Sequence, residues 1–205
     1  MEPTSPLQAL VLLDYFGIGV FAMSGALAAA EKRTDFVTFI FFAVVTGVGG
    51  GTIRDLLIGA PVFWVNKNAT LVICMTAALA TWLIRDRWNP ERAVLWFDAA
   101  GMAAYSAYGA AKALSYGVAP VPAFVMGVVT ACAGGIIRDV LANEPSSLLR
   151  REIYITAAAL ASGLYVVLTY FGLSGFIAAG IALVAGFVLR ALAILRGWSL
   201  PAYRF

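Results

Sequence analysis

Gly49-Gly50-Gly51-Thr52-Ile53-Arg54-Asp55 and Ala133-Gly134-Gly135-Ile136-Ile137-Arg138-Asp139 are two versions of one heptapeptide, 84 residues apart, each inside an apolar stretch. Sliding the chain on itself by 84 residues, with no gap, also aligns Asp14 with Asp98, Gly17 with Gly101, Gly25 with Gly109, Thr46 with Thr130 and Pro61 with Pro145. Roughly a third of positions 14 to 61 are identical between the copies. A glycine cluster that weakens a helix, followed at once by an arginine and an aspartate, is the feature in which function is sought.

The surroundings of that motif are those of a membrane protein. Of 205 residues, 62% are hydrophobic and 12% charged, and mean hydropathy is +0.89. Soluble domains have roughly 45–50% apolar and 25% charged residues. The length allows about seven spans of roughly 20 residues with short loops, and no sizeable soluble domain. The first six residues lack a basic segment and no small-residue cleavage site follows, so residues from Leu7 read as a retained span. Cys74 and Cys132 fall in apolar runs and read as buried thiols. With no histidine, zinc chemistry and serine–histidine catalysis lack their usual ligand and base, and no metal, cofactor or enzymatic role is expected. The basic balance points to membrane topology and not to nucleic acid, because the cations sit in short loops and at the C-terminus.

Apolar windows between charged or Pro/Gly punctuation predict spans at 7–29, 36–58, 69–84, 93–114, 119–142, 152–171 and 174–195 in one transmembrane domain. The C-terminus and the loops after spans one, three and five carry Lys32, Arg33, Arg85, Arg87, Arg92, Arg138, Arg150, Arg151, Arg190, Arg196 and Arg204. The other side carries only Arg54, Lys67 and Lys112. Eleven cations against three predict a cytoplasmic C-terminus and an N-terminus outside. Each repeat (about 7–84 and 93–171) holds three spans, and the seventh is unpaired. Three is odd, so the second copy enters from the opposite face and the copies are related by an axis in the membrane plane.

Two readings compete for Gly47, Gly49, Gly50, Gly51, Gly134 and Gly135. Glycine costs roughly 1 kcal/mol in a helix interior, so a bend beside a pathway is expected for a symmetric, arginine-linked pair. The alternative is close helix packing, since Gly47 and Gly51 make a Gly-x-x-x-Gly motif. Asp14 lies about 10 Å into span one at 1.5 Å per residue, and Arg54 lies at a similar depth in span two. An ionisable group in the membrane costs about 2.5–3.5 kcal/mol or more unless paired or wetted. Two mirrored ion pairs are therefore expected, Asp14 with Arg54 and Asp98 with Arg138; the bland alternative is that the charges only fix helix register. Asp55 and Asp139 point some 100° away from the arginines around an ideal helix and are expected to cap a neighbour, line a vestibule or reach the interface. Lys112 reads first as a snorkelling anchor and second as a charge partner. Thr46 and Thr130 are placed to repair loosened backbone or to meet a passing ion. Trp64, Trp82, Trp88, Trp96 and Trp198 read as an interfacial belt, and the basic segments at Arg85 to Arg92 and Arg150 to Arg151 as topology signals that also suit anionic lipids.

These residues resemble the prokaryotic relatives of the trimeric intracellular cation (TRIC) channels, with doubled Gly-Gly-x-x-Arg-Asp segments in spans two and five and a 3+3+1 arrangement over nearly the whole chain. The resemblance implies an all-α fold of seven transmembrane helices and a homotrimer. It also implies an ion path through each subunit between kinked second and fifth helices, permeated by potassium and less clearly by sodium. Carried over by position, the kinks fall on Gly49, Gly50, Gly51, Gly134 and Gly135, and the charges on Arg54, Asp55, Arg138 and Asp139. Animal members carry a lysine-bearing motif on the second helix associated with phosphoinositide lipids, which this chain replaces by Thr52-Ile53-Arg54-Asp55. Thr-Val-Gly-Tyr-Gly is absent, so a fourfold carbonyl filter is not expected. The competing function is a secondary transporter of a small metabolite such as an amino acid, because an inverted repeat equally suits alternating access.

Overall fold

Seven helices follow one another in the computed structural model, which describes residues 6–84, 89–146, 148 and 152–201, with side chains from residue 10 on. They are α1 (Pro6–Glu31), α2 (Phe36–Leu57), α3 (Asn68–Ile84), α4 (Pro90–Ser115), α5 (Pro120–Leu141), α6 (Ile155–Tyr170) and α7 (Gly175–Arg196). Local chemistry sets their ends. Asp35 caps α2 by accepting from the Thr38 amide at 2.9 Å, and Asn89 caps α4 ahead of Pro90 by accepting from the Arg92 amide at 3.2 Å. The Thr38 amide holds the Asp35 carboxyl below its ordinary range. That cap is thus complete at neutral pH and is lost as pH falls through the lowered value.

The turns repeat with the sequence. Arg33 and Gly117, 84 residues apart, both take positive φ (54° and 78°), as do Gly59 and Asn143 (67° and 53°). The turn hydrogen bonds match too: Thr34 N–H to Ala29 and Val118 N–H to Ala113, then Ala60 N–H to Asp55 and Glu144 N–H to Asp139.

Packing is reciprocal between the copies. A Cβ on Gly17 would lie 2.7 Å from the Tyr105 ring, and one on Gly101 would lie 2.9 Å from the Phe21 ring. Positions 17 and 101, and 21 and 105, are repeat equivalents, so these are one contact seen from both sides of a pseudo-two-fold axis. At the crossing of α2 and α5 a Cβ on Gly50 would collide with the Thr130 carbonyl, and one on Gly134 would reach the Thr46 carbonyl at 2.6 Å. Both helices run through their glycines without interruption. Helical hydrogen bonding thus continues through the positions of the expected bends, and the small residues let the two helices approach backbone to backbone, as the packing alternative had it. The core is correspondingly rich in alanine, with Ala26, Ala103, Ala107, Ala131 and Ala161 among the fully buried residues.

Four helices (α1 from Leu10, α2, α5 and α7) are long and apolar enough to cross a membrane by themselves. Helices α3 and α6 are apolar but have 17 and 16 residues. Helix α4 carries Asp98 and Lys112 turned inward, which its central position explains, since it packs against α1, α5, α6 and α7, while its Glu91 and Arg92 are exposed at the N-terminal end. The sixth span starts at Ile155 and not at 152, because Glu152 pairs with Ser199 in an isolated antiparallel bridge. Trp82 packs edge-on against Phe36 and Phe39, and Trp64 donates to Thr52 Oγ1 at 2.9 Å, so these two brace helices as well as ending spans. Trp88, Arg85, Arg87, Arg150, Arg151 and Arg204 lie outside the described residues.

Gly50→Ala and Gly134→Ala are expected to cost about 1–3 kcal/mol each by overpacking the crossing. Gly180→Ala, with nothing within 4 Å of the new methyl, is expected to be neutral or stabilising. Thermal unfolding of the purified protein in detergent checks the contrast.

Candidate functional site

Both motif arginines turn inward and are buried, Arg54 to 0% and Arg138 to 2% exposure. A guanidinium has five donors and no acceptor, so its surroundings are read most directly from who accepts.

In the second repeat the acceptors come from three helices. Arg138 Nη1 donates to Asp98 Oδ1 on α4 at 2.6 Å and to Ser24 Oγ on α1 at 2.5 Å. Its Nη2 and Nε both donate to Asp139 Oδ1, at 2.7 and 3.0 Å. The pair of Asp98 with Arg138 is thus present as depth and symmetry suggested. Asp139 does not turn away from its neighbour: the long arginine stem lets the guanidinium fold back onto the next carboxylate despite the diverging Cβ directions.

The first repeat is wired differently. Among the described residues no direct ion pair joins Asp14 to Arg54, although Arg54 is the cation that acts most strongly on Asp14, so the expected mirror pair is replaced by a looser one. Arg54 meets Asp55 Oδ1 through Nε and Nη2, each at 2.9 Å. Asp55 also accepts from Lys112 Nζ (2.8 Å to Oδ1, 2.9 Å to Oδ2) and from the Phe63 amide at 3.0 Å. Lys112 is therefore an inward charge partner and not a snorkelling anchor. Two substitutions between the copies explain the difference. Lys112 stands at the repeat equivalent of Ala28 and supplies Asp55 with a second cation. Tyr108 stands at the equivalent of Ser24: its ring lies over the Arg54 guanidinium, 5.1 Å from the centroid, and its hydroxyl faces Asp14. Where a small hydroxyl hydrogen-bonds Arg138, a ring stacks on Arg54. Asp14 Oδ1 and Arg54 Nη1 are buried without a hydrogen-bond partner in the protein.

Each cluster opens on a cavity. Beside Arg138 lies one of about 290 Å³ lined by Glu31, Glu91, Asp98, Asp139 and Glu144. Lys32 bonds Glu144 at 2.6 Å across its rim, and this contact raises the lysine pKa above its ordinary value. Beside Lys112 lies one of about 450 Å³ lined by Lys67, Asn66, Tyr108 and Phe63. The two are repeat counterparts, since Leu10, Val11, Lys112 and Ser115 in one occupy the positions of Val94, Leu95, Ala28 and Glu31 in the other. One mouth is acidic and its counterpart basic.

The remaining motif residues belong to the crossing between the clusters. Gly49 faces Ile137, Gly51 faces the Phe63 ring, and Gly135 faces Asp98 and Tyr154. Thr130 Oγ1 donates to the Met126 carbonyl at 2.6 Å, one turn back, which is backbone repair. Thr46 Oγ1 is buried without a protein partner. Sequence reasoning missed Ser24, Tyr108 and Phe63, although the 84-residue register places Ser24 and Tyr108 at one position, where the mismatch was itself the signal.

Paired three-helix units around mirrored arginine clusters define a polytopic membrane protein with an internal two-fold. The family model described as "Glycine transporter" matches twice, at residues 11–86 and 95–170, again 84 apart. The inner membrane protein YadS of Escherichia coli K12 is 44% identical over 154 residues, covering 72% of this chain and 73% of the relative. The Bacillus subtilis membrane protein YvgT is 36% identical over 205 residues, covering 97% and 98%. Among solved structures, the TRIC channel orthologue from Rhodobacter sphaeroides superposes with a TM-score of 0.89 at 43% identity, covering 92% of this chain and 98% of that one. A prokaryotic TRIC channel determined in 0.5 M KCl gives 0.86 at 29%, covering 93% and 98%. The chain belongs to this family, as a prokaryotic TRIC-type membrane protein.

The wiring sets an order of stabilities. Asp98→Asn strips Arg138 of its interhelical carboxylate and is expected to cost about 3–5 kcal/mol, the range for breaking a buried ion pair. Asp14→Asn breaks no direct ion pair and is expected to cost less, about 1–2 kcal/mol. Equal losses in unfolding experiments on the two variants would contradict the assignment.

Proposed function

We propose that the protein is a monovalent cation channel of the cytoplasmic membrane, with one path in each subunit of a homotrimer. The path follows the interface of α2 and α5 and is used chiefly by potassium, with sodium also admitted. The observation that carries this reading is the pair of buried arginine clusters, Arg138 with Asp98 and Arg54 with Asp55, one on each side of the α2 and α5 crossing and each beside a cavity. The TRIC channel relatives supply its class. The domain is read as two three-helix repeats inverted about an axis in the membrane plane, with α7 added. The count of cations by side puts the N-terminus outside and the C-terminus in the cytoplasm. The acidic mouth then faces the cytoplasm, where it concentrates cations, and the basic mouth faces out.

An unpaired guanidinium on a cation path repels the permeant ion, whereas one neutralised by a carboxylate does not. The two clusters therefore act as latches: Arg138 with Asp98 ties α5 to α4, Asp55 with Lys112 ties α2 to α4, and a cluster that opens changes both the field on the path and the freedom of its helix. In this reading the close approach of α2 and α5 at Gly50 and Gly134 is the constriction of the path.

A second reading, a transporter of a small amino acid, is favoured by the description of the matched family model. The two differ in mode. A channel gives stepwise currents that reverse at the cation equilibrium potential; a transporter saturates with substrate and shows counterflow.

Planar-bilayer recording of the purified protein in a potassium/sodium gradient tests the proposal, with stepwise cation currents expected. No current, together with saturable glycine counterflow in vesicles, would replace it by the transporter. Arg54→Ala and Arg138→Ala are each expected to raise or deregulate cation flux in reconstituted vesicles; unchanged flux and gating in both would remove the latches from the mechanism.

A further inference from the structure

Helix α7 has no counterpart in the repeat, yet it reaches the second motif. Arg190, 2% exposed in the last third of α7, donates to Glu152 Oε2 at 2.5 Å, and its guanidinium lies 5.2 Å from the centre of the Tyr154 ring. Tyr154 is itself 1% exposed. Its hydroxyl and Asp98 Oδ1 lie 3.0 Å from one and the same point, the place a Cβ on Gly135 would occupy. Glu152 is held in turn by its bridge to Ser199, just beyond the end of α7. A continuous series of contacts thus runs from α7 through Arg190 and Tyr154 to Asp98 and Arg138.

The first repeat has nothing of the kind. The equivalents of Glu152 and Tyr154 are Asn68 and Thr70, and no helix occupies the place of α7. The hydroxyls of Thr70 and Tyr154 are both buried without a hydrogen bond of good geometry, and only that of Tyr154 has a carboxylate, Asp98, facing it. This difference runs parallel to the one between the clusters, where Arg138 has three accepting side chains and Arg54 one.

We infer that Arg190 and Tyr154 are positioning residues through which α7 fixes the Asp98 and Arg138 pair, so that the second latch is held shut by a helix outside the repeat while the first is free to rearrange. A planar guanidinium suits this role: it pairs with a carboxylate edge-on and lies on an aromatic face at the same time, which an ammonium does less well. Gly135 leaves room for this arrangement, since a Cβ there would crowd both the Tyr154 hydroxyl and Asp98 at 3.0 Å. The functional consequence, an outer half that moves against a fixed inner half, rests on the channel reading above. The positioning itself does not.

Amide hydrogen exchange on the purified protein, read segment by segment, separates the two. Arg190→Gln, Glu152→Gln and Tyr154→Phe are expected to speed exchange at residues 134–139 about tenfold, roughly one charge-assisted hydrogen bond, and to leave residues 50–55 unchanged. Glu152→Asp, which keeps the charge, is expected to retain most of the protection. A merely structural role for α7 would loosen both segments together along with the melting temperature, and that result, or unchanged exchange at 134–139, overturns the inference. Tyr154→Phe removes a single oxygen and keeps the test available if Arg190→Gln does not fold. Cation flux recorded on the same samples addresses the channel reading: no flux in the unsubstituted protein, with the exchange pattern as expected, defeats that reading and leaves the positioning role standing.

Discussion

Two arginines without access to water impose the main constraint on this structure. A guanidinium in an apolar interior costs several kcal/mol unless charge and hydrogen bonds compensate it. Its partners must therefore be delivered to fixed places by separate helices. Arg138 obtains carboxylates from α4 and its own helix and a hydroxyl from α1. Arg54 obtains a carboxylate from its own helix and aromatic faces from Tyr108 and Phe63. To bring those groups within reach, the helices lie closer than ordinary side chains allow, which the glycines at 50 and 134 and the alanine-rich core permit. The buried charge and the small-residue packing are two sides of one arrangement.

Duplication followed by divergence explains the inequality of the two halves. The backbone has kept its symmetry to the level of turn hydrogen bonds and positive-φ residues. The side chains have not: Ala28 against Lys112 and Ser24 against Tyr108 change the first cluster from a hydrogen-bonded network into a carboxylate shared by two cations under aromatic rings. The cavities follow, one acidic and one basic. A symmetric frame with unequal ends gives the proposed path a direction, which a strictly symmetric one lacks.

Much of this was legible in the sequence because it rests on spacing. Helix positions follow from apolar windows, and the repeat and its expected inversion follow from an 84-residue register and the parity of three spans. Depth in the membrane was enough to pair Asp98 with Arg138. For Asp14 it gave the neighbour and not the wiring: Arg54 turns to Asp55, which depends on side chains at 108 and 112 that only the folded bundle brings beside it. At the glycines, propensity records the cost in a helix and not the gain from a close crossing, so the contacts of Gly50 with Thr130 and of Gly134 with Thr46 are visible only in the folded bundle. Arg190 was counted as a topology signal near a span end, whereas it is buried against Glu152 and Tyr154, a contact between segments with no shared periodicity.

The central claim is that the two buried guanidiniums are mirrored but unequally held. Nitrogen-15 NMR of the arginine side chains, assigned with Arg54→Lys and Arg138→Lys, measures this directly through rotation about the Nε to Cζ bond. The account predicts slow rotation with resolved Nη signals for Arg138, which Asp98, Ser24 and Asp139 all engage, and faster averaging for Arg54. Equal rotation rates, or slower rotation at Arg54, would contradict it.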